Sequence, residues 1–362
     1  MEFLPRTLGT RPRLACEVRA EGVVAARADD ASAVLAVASR VVAAKAMALP
    51  QLRPADPNAA IAAALGVPPD SAANRAAAPA ANAGRASTVA AVRKALEAVS
   101  LRTRDVTLVV PDSAVRVLLL DFDTLPAKPA EALPVVRFRL KKLLPFDADD
   151  AAMSYQVMSS SKDNMQVMAV AMPREVLQDY ESIVREAGFE PGAVLPSTLA
   201  TLAGLVESER PALVVNAGRE GVTTAIVRGG VLLLHRTVDL GTGAVSASQI
   251  EQGDAIPPAP ESDAMPDFRR PSSAHEVAQA VSVAAAYFED TLETPPSIVL
   301  AAGTLGAEAL VVMLDDARAG MGPVAVQEMV DRHMLGDGAA SAGSQGGIPL
   351  GWLAGVRGAL AN

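Results

Sequence analysis

A strand–turn–strand pattern occurs twice in this chain, and that duplication limits the fold more than any other feature. Leu213-Val214-Val215-Asn216 begins a strand, residues 218–221 turn, and Val222 to Val227 return. Gly229-Gly230 turns the chain again, and Val231 to Leu234 forms a third strand. Displaced by 199 residues, Leu14 falls on Leu213, Glu17 on Asn216, Glu21 on Glu220, Gly22 on Gly221 and Val23 on Val222. A repeated meander predicts two related α/β halves that face each other across a cleft.

The segments between the copies carry regular patterns. Pro173 to Ala187 reads as a helix, with Val176, Leu177, Tyr180, Ile183, Val184 and Ala187 on one face and Gly188 as its C-terminal cap. A second helix runs from about Thr88 to Val99 and turns Val89, Val92, Leu96 and Val99 to one side. Asp105 to Val110 reads as a buried strand, Pro111-Asp112-Ser113 as a turn, and Val115 to Leu120 as the returning strand. Three stretches read as insertions or linkers. Residues 50–86 are rich in Ala and Pro, and their prolines are expected to break any long helix. Residues 248–273 are acidic and proline-rich and predict a mobile surface loop, and the Gly/Ser/Ala run 336–347 predicts a flexible connection.

Composition removes several function classes. Aromatics make up 3% of residues and the net charge is −9, so neither a base-stacking platform nor a phosphate-binding basic face is expected. Cys16 stands alone and reads as a small core residue, which excludes an internal disulfide. His235, His275 and His333 sit in no ligand-spaced motif, Asp147-Ala148-Asp149-Asp150 reads as a helix-ending loop, and no Ser/His/Asp or Cys/His set is visible. The opening residues lack the apolar core of a signal peptide, and no stretch is apolar enough to span a bilayer. A soluble, cytoplasmic chain is expected, with no transmembrane segment of its own.

Two hairpins from duplicated halves can clamp a nucleotide. Their turns present backbone N–H groups to phosphates, and an acidic residue ending each first strand holds Mg²⁺ directly or through water. At these positions the chain resembles the PilM family of type IV pilus assembly proteins, within the actin-like ATPase superfamily. The family's first strand reads roughly Gly-Ile-Asp-Ile-Gly; here the place holds Ala15-Cys16-Glu17-Val18-Arg19, with Glu17 for aspartate and Arg19 for glycine. The family's second phosphate strand reads Val-Asp-Ile-Gly; here it is Val215-Asn216-Ala217-Gly218, an amide in place of a carboxylate. His235 to Val238 resembles the family's third strand, and Gly241-Thr242-Gly243 the glycines after it. Ile298 to Gly303 resembles the strand that touches adenosine, with Ala302 replacing one glycine. Residues 101–117, 137–157 and 351–358 resemble further family segments in the same order.

The resemblance implies an actin-like α/β fold of duplicated ribonuclease-H-like halves with a small inserted α/β domain. The expected divisions are a first half at 1–100 with its insertion at 50–86, an inserted domain at 101–172, and a second half at 173–335 containing the 248–273 loop. A flexible segment and closing helix follow at 336–362. The resemblance also implies a degenerate ATP cleft lined by Glu17, Asn216, Gly218, Gly241, Gly243 and Gly303, without catalytic residues or a metal centre. Such a pseudo-ATPase is expected to need no cofactor, and Mg-ATP is the one ligand left open, as a conformational effector. Arg19 is expected to be a solvated turn residue.

For function, the resemblance implies a cytoplasmic adaptor at the inner membrane. Its partners are the cytoplasmic tail of a PilN-like membrane protein, held in a groove between the inserted domain and the first, and other cytoplasmic pilus assembly proteins. The basic segment with Arg137, Arg139, Lys141 and Lys142 is the expected partner-binding surface, packed through Phe138 and Leu140. The alternatives are a working actin-like ATPase and a GspL-like type II secretion component. The latter family normally continues into a membrane span, which this sequence lacks.

Overall fold

The computed structural model describes residues 12–30, 34–52, 71–161, 164–240, 273–294, 296, 298–316, 325–336, 338–339 and 348–361, with side chains except at 71–82 and 273. Two five-stranded sheets are built on one plan. In the first half, β1 (Leu14–Arg19), β2 (Gly22–Ala28) and β3 (Leu35–Val42) form an antiparallel meander. Helix α1 (Ser71–Glu97) leads to β4 (Asp105–Val110), which lies parallel to β1. An inserted unit follows: β5 (Arg116–Phe122), α2 (Pro129–Leu140), β6 (Ala151–Ser160) and β7 (Met165–Pro173). Helix α3 (Arg174–Glu186) then brings the chain back to β8 (Glu190–Pro196), parallel to β4, and the short helix α4 (Ser197–Ala203) leaves its end.

The second half repeats the plan with β9 (Ala212–Ala217), β10 (Gly221–Arg228) and β11 (Val231–Asp239). Helix α5 (Ser273–Leu292), β12 (Ile298–Gly303), α6 (Gly306–Asp316), β13 (Ala325–Glu328) and the closing helix α7 (Ala354–Leu360) complete it. The strand orders β3-β2-β1-β4-β8 and β11-β10-β9-β12-β13 correspond position by position. The register repeats as well, because Glu17 pairs with Val24 and Asn216 with Thr223, both pairs displaced by the same 199 residues. This is the duplicated α/β arrangement expected from the repeated hairpins.

Alternation along the first strands decides where the polar residues go. Leu14, Cys16 and Val18 face a core built with Val92 and Leu96 of α1 and Tyr180 and Ile183 of α3. Glu17 therefore faces the opposite side, where Ala15 packs with Trp352, Val356 and Leu360 around α7. In β9 the same alternation sends Leu213, Val215 and Ala217 to α5 and α6, and leaves Val214 on the other face with Leu199 and Leu202 of α4. The final helix of each half thus packs on the sheet of the other, and α4 meets α7 closely enough for Arg357 Nη1 to donate to the Gly204 carbonyl at 2.9 Å.

Several expectations need correction. Val115 to Leu120 does not return along β4; β5 pairs with β7 in a separate three-stranded sheet ordered β5-β7-β6, because the single 3-10 turn at Asp112–Ala114 carries the chain out of the first sheet. The divisions expected at 101 and 173 also move, since β4, α3 and β8 belong to the first half and the inserted sheet spans 116–173. The second helix begins at Ser71 and runs through Pro79 rather than starting near Thr88. Alanine's helix propensity over this stretch outweighs one proline's lost hydrogen bond. The helix expected at 173–187 is present as α3, closed by Gly188 at φ +91°, where the left-handed backbone favours glycine. Gly241, Gly243, residues 248–272 of the acidic loop and 340–347 of the glycine-rich run lie outside the described residues.

Candidate functional site

The turns β1–β2 and β9–β10 approach each other from the two halves and line a small cleft of about 40 Å³ together with Pro111, Asp112 and Ser113. Arg19, expected in solvent, lies inside it with an 11% exposed side chain. Its Nε donates to Glu17 Oε1 at 2.7 Å, and its Nη2 donates to Ser197 Oγ and to Asn216 Oδ1, each at 2.7 Å. The cause is topological. Ser197 opens α4 at the end of β8 and Asn216 sits near the end of β9, so two acceptors 178 and 197 residues away in sequence converge on the guanidinium.

The amide of Asn216 is what the site requires. Its Oδ1 accepts from Arg19, while Nδ2 donates to Ser197 Oγ and Thr198 Oγ1, each at 2.9 Å. Both hydroxyls pass their own protons on to carboxylates. Ser197 Oγ donates to Glu17 Oε1 at 2.7 Å, and Thr198 Oγ1 donates to Asp112 Oδ2 at 2.6 Å. Asp112 Oδ1 also accepts the Thr198 backbone N–H at 3.0 Å. An aspartate at 216 supplies no donor to either hydroxyl and adds a third carboxylate to the group. Gly303 completes the fit: at φ +89°, a Cβ there meets the Ala217 carbonyl oxygen at 2.3 Å and Asn216 Oδ1 at 2.8 Å.

Glu17 is fully buried, and burial pushes its carboxyl above the usual range, opposed by the neighbouring Arg19 charge and the Ser197 hydrogen bond. Its Oε2 has no hydrogen-bond partner and faces Gly355 of α7. Cys16, next to it, is a buried free thiol that burial pushes up, in keeping with a core role. Nearer the mouth, Glu21 Oε1 accepts from the Arg219 backbone N–H on the facing turn and from Thr304 Oγ1 at 2.7 Å. Gly218 lines the same place, and a Cβ on it lies 2.9 Å from Glu21 Oε1 and 3.3 Å from Arg19 Nη1.

These residues do not fit a magnesium–nucleotide. The acidic residue of β1 is engaged by Arg19, the matching residue of β9 is an uncharged amide, and the β9–β10 turn already holds a carboxylate. Among the described residues no group of three or more His, Cys, Asp or Glu is placed to hold a metal ion. Asp112, Ser197, Thr198 and Thr304 were not singled out from the sequence. Pro196-Ser197-Thr198, two hydroxyls directly after a strand, was the local signal available for Ser197 and Thr198.

The basic segment of α2 is divided. Arg137 Nη1 donates to the backbone carbonyls of Ala148 and Ala151, and Lys141 Nζ pairs with Asp149 Oδ2 at 2.5 Å, so both are used inside the inserted unit. Arg139 and Lys142 are exposed. Leu140 is buried as expected, but Phe138 is 73% exposed and does not pack beneath the helix.

A second concavity, about 180 Å³, lies where the inserted unit meets the first half. Val115, Met153, Met172, Leu177, Val194 and Leu195 give it an apolar lining. Its borders include β6 and β8, each the outermost strand of its sheet. Val110 and Pro196 also line it; the chain continues from Val110 through Pro111 to Asp112 at the cleft, and from Pro196 into Ser197, which accepts from Arg19.

No protein-family model matches the sequence, and no curated protein matches it. Among solved structures, the chain is similar to one described as the PilM-PilN type IV pilus biogenesis complex, at 16% identity and a TM-score of 0.64, covering 97% of this chain and 98% of that one. It also matches the cytoplasmic domain of EpsL, an inner membrane component of the type II secretion system of Vibrio cholerae, at 11% identity, TM-score 0.43 and coverage of 86% and 96%. A Bacteroides thetaiotaomicron protein with an actin-like ATPase fold matches at 8% identity, TM-score 0.38 and coverage of 87% and 89%. The first likeness establishes the fold: nearly the whole chain is arranged as in that PilM–PilN structure.

Proposed function

We propose that the protein is an actin-like adaptor of type IV pilus assembly, which holds the cytoplasmic tail of a PilN-like inner-membrane protein. The observation that carries this reading is the apolar groove between the inserted unit and the first half. An extended peptide can lay alternate side chains against Met153, Met172 and Leu177 while its backbone pairs with an outer strand, β6 or β8. The match in fold to a PilM–PilN structure supports the same partner class. No described helix is long and apolar enough to cross a membrane, so attachment at the membrane runs through the partner in this reading.

The cleft then serves structure rather than turnover. Glu17, Asn216, Gly218 and Gly303 hold the two halves in register instead of holding phosphates, and other pilus assembly proteins dock on the remaining surface. The test is a calorimetric titration with a synthetic peptide copying the cytoplasmic tail of the PilN-like protein from the same organism. Binding that falls at least tenfold in Met153→Asp supports the groove. Absence of binding, or equal binding by the variant, contradicts it.

A further inference from the structure

We infer that Arg19 and Glu21 form a built-in latch that closes the cleft in the place a nucleotide would occupy, making closure independent of any ligand. The two residues flank Ala20 on a single turn, carry opposite charges, and both reach into the other half. Arg19 engages Asn216 Oδ1 on β9, and Glu21 engages the Arg219 N–H of the β9–β10 turn and the Thr304 hydroxyl after β12.

The Glu21 seat is an anion site in chemical terms. A backbone N–H at a tight turn and a neighbouring hydroxyl converge on one oxygen, and Gly218 leaves room for the approach. The carboxylate filling that seat repels an incoming phosphate, and Glu220 adds further negative charge to the lining. Arg19, for its part, neutralises Glu17 as a metal ion would, from a guanidinium fixed in the chain. Here one turn supplies both charges. The latch rests on contacts between the halves and stands whatever occupies the apolar groove.

Pulsed electron paramagnetic resonance between spin labels at Lys94→Cys on α1 and Glu308→Cys on α6 reads the angle between the halves, because Cys16 is buried and takes no label. With Arg19 and Glu21 intact, the inference expects one narrow distance that millimolar Mg-ATP leaves unchanged. Glu21→Ala and Arg19→Ala each move the distribution to longer, broader distances, and inorganic phosphate at tens of millimolar narrows it again in Glu21→Ala. Thr304→Val, which removes one donor from the opposite side, gives a smaller shift in the same direction. Thermal unfolding is measured first; if Arg19→Ala does not fold, the half-exposed Glu21→Ala decides. Unchanged distances in Glu21→Ala overturn the latch, as does a distribution that Mg-ATP narrows when Arg19 and Glu21 are intact. Opening that phosphate fails to reverse overturns the assignment of an anion seat.

Discussion

Arg19 Nε and Nη2 lie 2.7 Å from Glu17 Oε1 and 2.7 Å from Asn216 Oδ1, so one guanidinium joins two residues that the internal repeat places at the same position in the two halves. The amide at 216 matches that geometry because it accepts from Arg19 on one side and donates to two hydroxyls on the other.

Replacing Asn216 by Asp alone is therefore expected to weaken the fold. It removes both donors to Ser197 and Thr198 and sets a third carboxylate beside Glu17 and Asp112. The expected loss is about 2–4 kcal/mol, from unsatisfied buried groups and like-charge repulsion. Urea unfolding of the single variant measures it, and a stability equal to that of the unsubstituted protein refutes the role given to the amide.

Glu17 links stability to pH. Its carboxyl is raised above 4.5 by burial, so the folded state binds the proton more tightly than the unfolded state does. That contribution is fully present below the unfolded value and is lost as pH rises through the folded value. Unfolding free energies from about pH 5 to about pH 7.5 should fall more steeply for the unsubstituted protein than for Glu17→Gln. Parallel slopes for the two proteins rule this linkage out.

The repeat, the meanders and α3 were legible because their signals are local: alternating apolar residues, paired turns, and helical spacing closed by Gly188. The cleft was legible in place but not in content. Arg19 read as a solvated turn residue because its partners Ser197 and Asn216 arrive from the far end of the first half and from the second half. Asp112 read as a turn, and only the packing of α4 brings Thr198 onto it. The partner of β5 could not be read either, since an apolar strand following a turn looks the same whether it returns to its own sheet or founds another. Pro79 suggested a helix break because a single residue's cost is visible in a sequence, whereas the summed preference of many alanines is not.

Close backbone contact between α4 and α7 makes Gly358 intolerant of substitution. A Cβ there lies 1.8 Å from the Ala200 carbonyl oxygen, whereas one on Gly188 meets nothing within 4 Å. Gly358→Ala is expected to cost about 3 kcal/mol or more through overpacking, and Gly188→Ala about 1 kcal/mol through its left-handed backbone alone. Thermal melts of the two variants compare them directly, and similar losses contradict the packing of the two helices.

The apolar groove is joined to the cleft and its Arg19 network at two strand ends, with Val110 leading to Asp112 and Pro196 leading to Ser197. Opening the cleft should therefore disturb the groove. Glu21→Ala is expected to weaken binding of the PilN-like tail peptide by about 5- to 10-fold, at the low end of the usual range of coupling between sites. Identical affinities mean that the groove is set by the inserted unit alone.

The central claim is that the protein's own side chains fill an actin-like cleft. Its most direct test is a calorimetric titration of the purified protein with Mg-ATP, alongside the triple variant Arg19→Gly, Glu21→Ala, Asn216→Asp. The account predicts no binding by the unsubstituted protein up to millimolar nucleotide, and affinity gained in the triple variant once the guanidinium and the Glu21 carboxylate are gone and a second carboxylate can help hold Mg²⁺. Micromolar binding by the unsubstituted protein contradicts the account and restores a working nucleotide site.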